Sequence, residues 1–214
     1  IQNNNEKAIT KLFSEVHFAD IAEVLEEVNF DEAIYIIKLL DSEKTSEILT
    51  ELDEDTREKI LENLSAQEIA DEVGEMDTDD AADIIGELSN ERQARVFKAL
   101  DDADLAADIK ELLSYEDNTA GSLMAKELVK VYETWTVAGC MRRIRGQAKD
   151  VTRVHSIYVV DKEDKLVGRL SLKDLIIAKS DQQIADILKD KVDSVNVNED
   201  DEDVAKIMAK YDLE

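Results

Sequence analysis

An apolar side chain recurs every twelve residues through the first half of the chain, at Val28, Leu40, Leu52, Leu64, Met76, Leu88, Leu100 and Leu112. Eight positions in phase define an internal repeat, and a repeat of this length constrains the fold more than any other feature of the sequence. The residues following the first seven are Asn29, Asp41, Asp53, Ser65, Asp77, Ser89 and Asp101. Side-chain oxygens of these types accept hydrogen bonds from the free N–H groups of a helix's first turn. Between caps, apolar residues fall seven, eight and eleven positions on, as in Ile36, Ile37 and Leu40, Ile60, Leu61 and Leu64, or Ile84, Ile85 and Leu88. That spacing is the stripe of an amphipathic helix.

The repeat therefore reads cap, helix, cap, helix. Helices of roughly ten residues are marginal alone in water, so these are predicted to stack into an all-α superhelix of short helices. Ser65 and Glu68 have the spacing of a capping box. His17, one period before Asn29, reads as the residue entering the first repeat helix rather than as a metal ligand.

Charge divides the chain in two. Of 52 acidic and 26 basic side chains, 34 and 10 fall in residues 1–122, a net of −24, and 18 and 16 in residues 123–214, a net of −2. A total of −26 repels nucleic acid and anionic membrane surfaces and favours cations or basic partners. The acids Glu47, Glu51, Asp55 and Glu58, then Asp79, Asp80 and Asp83, occupy the helix faces that the apolar stripe leaves free. They suit a solvated face with acids in the first turns, or a surface whose self-repulsion a bridging divalent cation relieves. The one cysteine, Cys140, excludes an internal disulfide, no secretory leader is recognisable, and apolar runs are short, so a soluble cytosolic polypeptide is expected.

After Ala120-Gly121-Ser122-Leu123-Met124 the pattern becomes mixed α/β. Residues 136–145 are predicted helical, 156–160 a buried strand, Asp161 to Lys165 a turn, and Leu166 to Leu170 the returning strand of a hairpin. Ser171 caps a helix running through Asp174 to Ala178. A second copy begins at Ile184-Ala185-Asp186-Ile187-Leu188, with a short strand around Val195-Asn196-Val197 and a helix from about Asp201 to Lys210. Val159-Val160-Asp161 followed by Leu166-Val167-Gly168-Arg169-Leu170-Ser171-Leu172-Lys173-Asp174-Leu175 resembles the CBS domain. That resemblance implies tandem pairing, dimerisation and, in some members, adenine nucleotide such as ATP in the cleft between modules. The second copy stops before the family's strand pair. The domains expected are 1–122 (acidic, helical), 123–180 (first CBS module) and 181–214 (start of a second).

The acidic superhelix, running into Thr119-Ala120-Gly121-Ser122-Leu123-Met124 and then CBS modules, is similar to the cytosolic region of MgtE magnesium channels. His17-Phe18-Ala19-Asp20-Ile21-Ala22 and Met76-Asp77-Thr78-Asp79-Asp80-Ala81-Ala82-Asp83 carry the same likeness. The resemblance implies a regulatory part on the cytoplasmic side of the membrane, a homodimer through its CBS modules, and a C-terminal transmembrane pore that this chain does not contain. It also implies Mg2+ as ligand, bound so as to favour the closed pore. The positions matching the family's sensing residues are Glu47, Asp79, Asp83, Ser122, Asp200, Glu202 and Asp212, with Ser122 standing where the family has glycine. Other readings are an adenine-nucleotide sensor and a helical-repeat interaction scaffold. Catalysis is not expected, since His17, His155 and Cys140 stand apart in sequence and no phosphate-binding loop is present. Trp135 and Cys140 read as structural, as do Tyr158 and Asp174.

Overall fold

The computed structural model describes residues 2–147, 156–211 and 213. It divides into two compact units, Ile1–Ser114 and Tyr115–Glu214. The first is helical: α1 (Gln2–Ser14), α2 (Phe18–Glu27), α3 (Phe30–Ile37), α4 (Ser42–Glu51), α5 (Glu54–Glu62), α6 (Ala66–Val73), α7 (Thr78–Gly86), α8 (Asn90–Ala99) and α9 (Ala103–Leu112).

The repeat sets these boundaries. Asn29, Asp41, Asp53, Ser65, Asp77 and Ser89 all stand at N-caps with extended backbone, and the first four accept a hydrogen bond from the first turn. Ser65 and Glu68 form the full capping box, and His17 caps α2 through Nδ1. The seventh cap is displaced by one residue: Asp102, not Asp101, caps α9, accepting from both Asp104 and Leu105 N–H. Two adjacent aspartates offer the same chemistry, and the one whose carboxylate reaches two amides takes the cap.

The stripe residues form the core. Ile37, Ile60, Leu61, Leu64, Ile84, Ile85 and Leu88 are buried, together with Ile48, Leu49 and Ile69. Helices two apart pack on each other: α2 on α4, α4 on α6, α6 on α8 and α7 on α9. Cationic side chains add ties to backbone. Lys44 Nζ donates to Val16 O at 2.6 Å. Arg57 donates to Leu49 O and Leu52 O at 3.4 and 3.1 Å. Arg92 donates to Leu61 O and Leu64 O at 2.7 and 2.9 Å. Each satisfies carbonyls that a helix end leaves without partners.

The second unit holds β1 (Val129–Tyr132), α10 (Val137–Gln147), β2 (Ile157–Val160), β3 (Leu166–Leu170), α11 (Leu172–Ile177), a 3-10 turn at Ile184–Asp186 and α12 (Asp201–Tyr211). The sheet order is β1-β2-β3, with β1 parallel and β3 antiparallel to β2. Val129, Val131, Val137, Cys140, Ile144, Ile157, Val159, Leu170, Leu175 and Ile184 make its core, with Trp135 packed against it.

The hairpin, α10, α11 and α12 lie where the sequence places them, and Ser171 forms a capping box with Asp174. Two features differ. β1 is a strand that the sequence reading does not contain. The strand expected around Val195-Asn196-Val197 is instead an irregular segment, which accepts from the link motif: Gly121 N–H donates to Val197 O and Ala120 N–H to Glu199 O, at 2.7 and 2.8 Å. One isolated bridge, Thr119 with Asp200, does not make a ladder.

Candidate functional site

Asp79 and Asp83 lie one turn apart on α7, so their carboxylates share a face. Asp79 Oδ1 is buried and has no hydrogen-bond partner. Burial raises the Asp83 carboxyl above its ordinary range, and the charges of Asp79 and Glu87 raise it further against the opposing pull of Arg57. Arg57 itself is held by Glu87: Nε donates at 2.9 Å and Nη2 donates as well, both to Oε1. The face thus has three acids near one guanidinium that is already engaged. Glu47 is exposed on α4, with its backbone carbonyl accepting from Thr50 Oγ1 at 2.9 Å.

In the second unit, Ser122 closes a turn with Thr119, its hydroxyl donating to Thr119 O at 2.9 Å. Asp200 immediately precedes α12, its Oδ1 accepting from Glu202 N–H at 3.1 Å. Asp201 N–H donates to Asn118 O at 3.0 Å, so the Ser122 turn and the acidic head of α12 are stitched side by side. Gly121 is required there, since a Cβ at that position would lie 2.6 Å from the Tyr115 ring. Glu202 is exposed, with Lys206 nearer to Asp203 (2.7 Å) than to it (4.0 Å). Asp212, and His155 with it, lie outside the described residues.

The structure thus pairs Asp79 with Asp83, and the Ser122 turn with Asp200. Among the described residues, no three His, Cys, Asp or Glu side chains stand in a metal-holding arrangement. Arg57 and Glu87 belong to the Asp83 environment and are absent from the sequence reading. The pairing spans 30 residues, and the twelve-residue phase does not predict which exposed positions meet.

A concavity of 460 Å³ in the second unit is lined by Trp135, Thr136, Gly139, Arg142 and Arg143. Asp174, by contrast, is engaged: Ser171 N–H and Oγ–H and Lys189 Nζ all bond or pair with it, holding its carboxyl down at about 2, with the Ser171 bonds the main cause. Cys140 is buried, which pushes its thiol up to about 11, as a core residue requires.

The first unit is thus an acidic short-helix superhelix, and the second an α/β unit with a three-stranded sheet. Residues 16–118 match the MgtE intracellular N domain and residues 120–181 the CBS domain. The chain is 46% identical over 108 residues to a magnesium transporter MgtE of Enterococcus faecalis, a match covering 50% of this chain and 24% of that protein. It is 41% identical over 116 residues to the one of Thermus thermophilus, covering 54% and 26%.

Among solved structures, it is similar to the cytosolic domain of the Mg2+ channel MgtE in complex with ATP. The TM-score is 0.91 at 32% identity, covering 99% of this chain and 86% of that one. A second similar structure, the soluble part of a magnesium transporter, has a TM-score of 0.85 at 32% identity, covering 99% and 83%. The chain belongs to the MgtE family. Its matches span about a quarter of the length of the curated relatives, and no helix among the described residues is long and apolar enough to cross a membrane.

Proposed function

We propose that this chain is the cytosolic Mg2+-sensing region of an MgtE-type magnesium channel or transporter. In this reading, Mg2+ bridges the acidic face around Asp79 and Asp83, with Glu47, to the acidic edge around Ser122, Asp200, Glu202 and Asp212. The observation that carries it is the buried, unpartnered Asp79 Oδ1 beside an Asp83 carboxyl that burial and the Asp79 charge raise above its ordinary range. A carboxylate pair with its cation already engaged elsewhere is left to be neutralised from solution. Mg2+ suits such a place because it keeps much of its water and is held by one or two carboxylates at a time. Without the ion, like charges on the two faces repel. With it, the compact arrangement is favoured by the difference in affinity between states, and the closed pore of the full protein with it. α11 leaves Ile176 and Ile177 more than 70% exposed, an apolar face suited to the homodimer expected of CBS modules.

The test is small-angle scattering of the chain across a Mg2+ titration, against Na+ at matched ionic strength. The radius of gyration is expected to fall with Mg2+ alone, and Asp79→Asn with Asp83→Asn to abolish the fall. A curve that follows the Na+ control would return these acids to a solvated face and favour an interaction scaffold.

A second reading, adenine-nucleotide sensing, is favoured by the concavity at Trp135, where an aromatic ring and two guanidinium groups suit a base and its phosphates. Trp135 is the chain's single tryptophan, so ATP is expected to quench its fluorescence saturably, and Arg142→Ala with Arg143→Ala to weaken that binding about tenfold or more. Quenching that is unaltered in the double variant would remove this concavity as the site.

A further inference from the structure

Glu72 is the one acidic side chain among the buried residues of the first unit's described core, 9% exposed on α6. Its Oε2 has no hydrogen-bond partner, and neither has the fully buried Thr45 Oγ1 on α4, the helix against which α6 packs. An ionised carboxylate in such a place is costly, whereas a protonated one is a neutral group with both a donor and an acceptor. We propose that the α4–α6 joint is a proton-controlled latch: neutral Glu72 holds the two helices together, and its ionisation loosens them.

The charges around it support this. Those acting on Glu72 are Asp71, Glu68 and Glu75 along α6 and Asp41 at the head of α4, all acidic. The remaining acids of α4, Glu43, Glu47 and Glu51, and Glu91 of α8 are exposed. The cations of the packed helices are turned to other uses. Lys44 donates to Val16 O, Arg92 to Leu61 and Leu64 carbonyls, and Arg95 to Glu91 O, while Lys98 is exposed. Burial first, and these four acids after it, push the Glu72 carboxyl from 4.5 up to about 8.

A carboxyl that binds its proton more tightly folded than unfolded makes the fold lose stability as pH rises from the unfolded value through the folded one. The loss is complete above about 8. The window therefore covers neutral pH, and the joint responds to changes there that leave the exposed carboxylates fully ionised.

The test combines 13C NMR of the glutamate carboxyls with hydrogen exchange of the α4 and α6 amides in the 214-residue chain and in Glu72→Gln. One carboxyl signal, missing from the variant, is expected to titrate with a midpoint well above the others. Between about pH 5.5 and 8.5, opening of those amides, corrected for intrinsic exchange chemistry, is expected to rise about tenfold or more in the wild type and to stay flat in the variant. A Glu72 midpoint among the ordinary carboxyls, or an equal rise in both proteins, would overturn the proposal.

Discussion

Arg57→Met is expected to destabilise the first unit by about 3 kcal/mol, read as a drop in urea midpoint at unchanged slope. Arg57 and Glu87 are 17% and 19% exposed as side chains, enough burial that losing one partner leaves an acid with no compensation. The figure sits at the low end for a broken buried pair because water still reaches both groups. Two further losses add to it: the carbonyls of Leu49 and Leu52 lose their donor, and Asp83 loses the one neighbouring charge that lowers its carboxyl. Adding Glu87→Met should recover more than half of the loss, since removing both members leaves apolar contact where a lone charge stood. A single variant with the wild-type midpoint would show that the pair contributes no net stability.

Gly168→Ala is expected to cost about 3 kcal/mol in the second unit. A Cβ there would lie 2.7 Å from Leu188 Cδ1 and 2.7 Å from Lys189 O. Leu188 can change rotamer, but Lys189 cannot retreat, because it exchanges both backbone hydrogen bonds with Arg169, each 2.9 Å. Thermal unfolding followed by Trp135 fluorescence checks this. Gly146→Ala supplies the control: among the described residues nothing lies within 4 Å of its added Cβ, and in a helix the change should stabilise by up to about 1 kcal/mol. Equal effects at the two glycines would show that β3 yields to the intrusion.

Most of the first unit is legible in the sequence because its information is local. A cap residue and an apolar stripe are decided within one turn or two, and the period repeats the decision often enough to exclude coincidence. The displaced cap at Asp102 marks the limit, where two neighbouring aspartates compete for the same amides. In the second unit the hairpin is legible for the same local reason, as the turn at Asp161 to Lys165 and the Ser171 cap announce it.

β1 carries a readable signal, since Val129 and Val131 are buried while Lys130 and Tyr132 are only partly so. It is brief, however, and its partner in the sheet, β2, lies beyond the whole of α10. Val195 and Val197 show the reverse case: strand-forming residues that do not become a strand, because the Val197 carbonyl accepts from Gly121 in the link turn and, among the described residues, no strand pairs with the segment. At the candidate site, the Asp79 and Asp83 spacing is a helical turn and readable. The Arg57 and Glu87 contact is tertiary and is not.

The cationic ties have a consequence for how the first unit comes apart. A repeat array whose neighbours touch only through apolar stripes can fray from its ends, one helix at a time. Lys44 on α4, Arg57 on α5 and Arg92 on α8 each reach the backbone at the close of an earlier helix, and Arg57 is joined as well to Glu87 past α7. Opening one repeat therefore strips carbonyls or a carboxylate in another of their donors. The array is fastened crosswise, and a force applied at one end is passed along it rather than absorbed in the first helix.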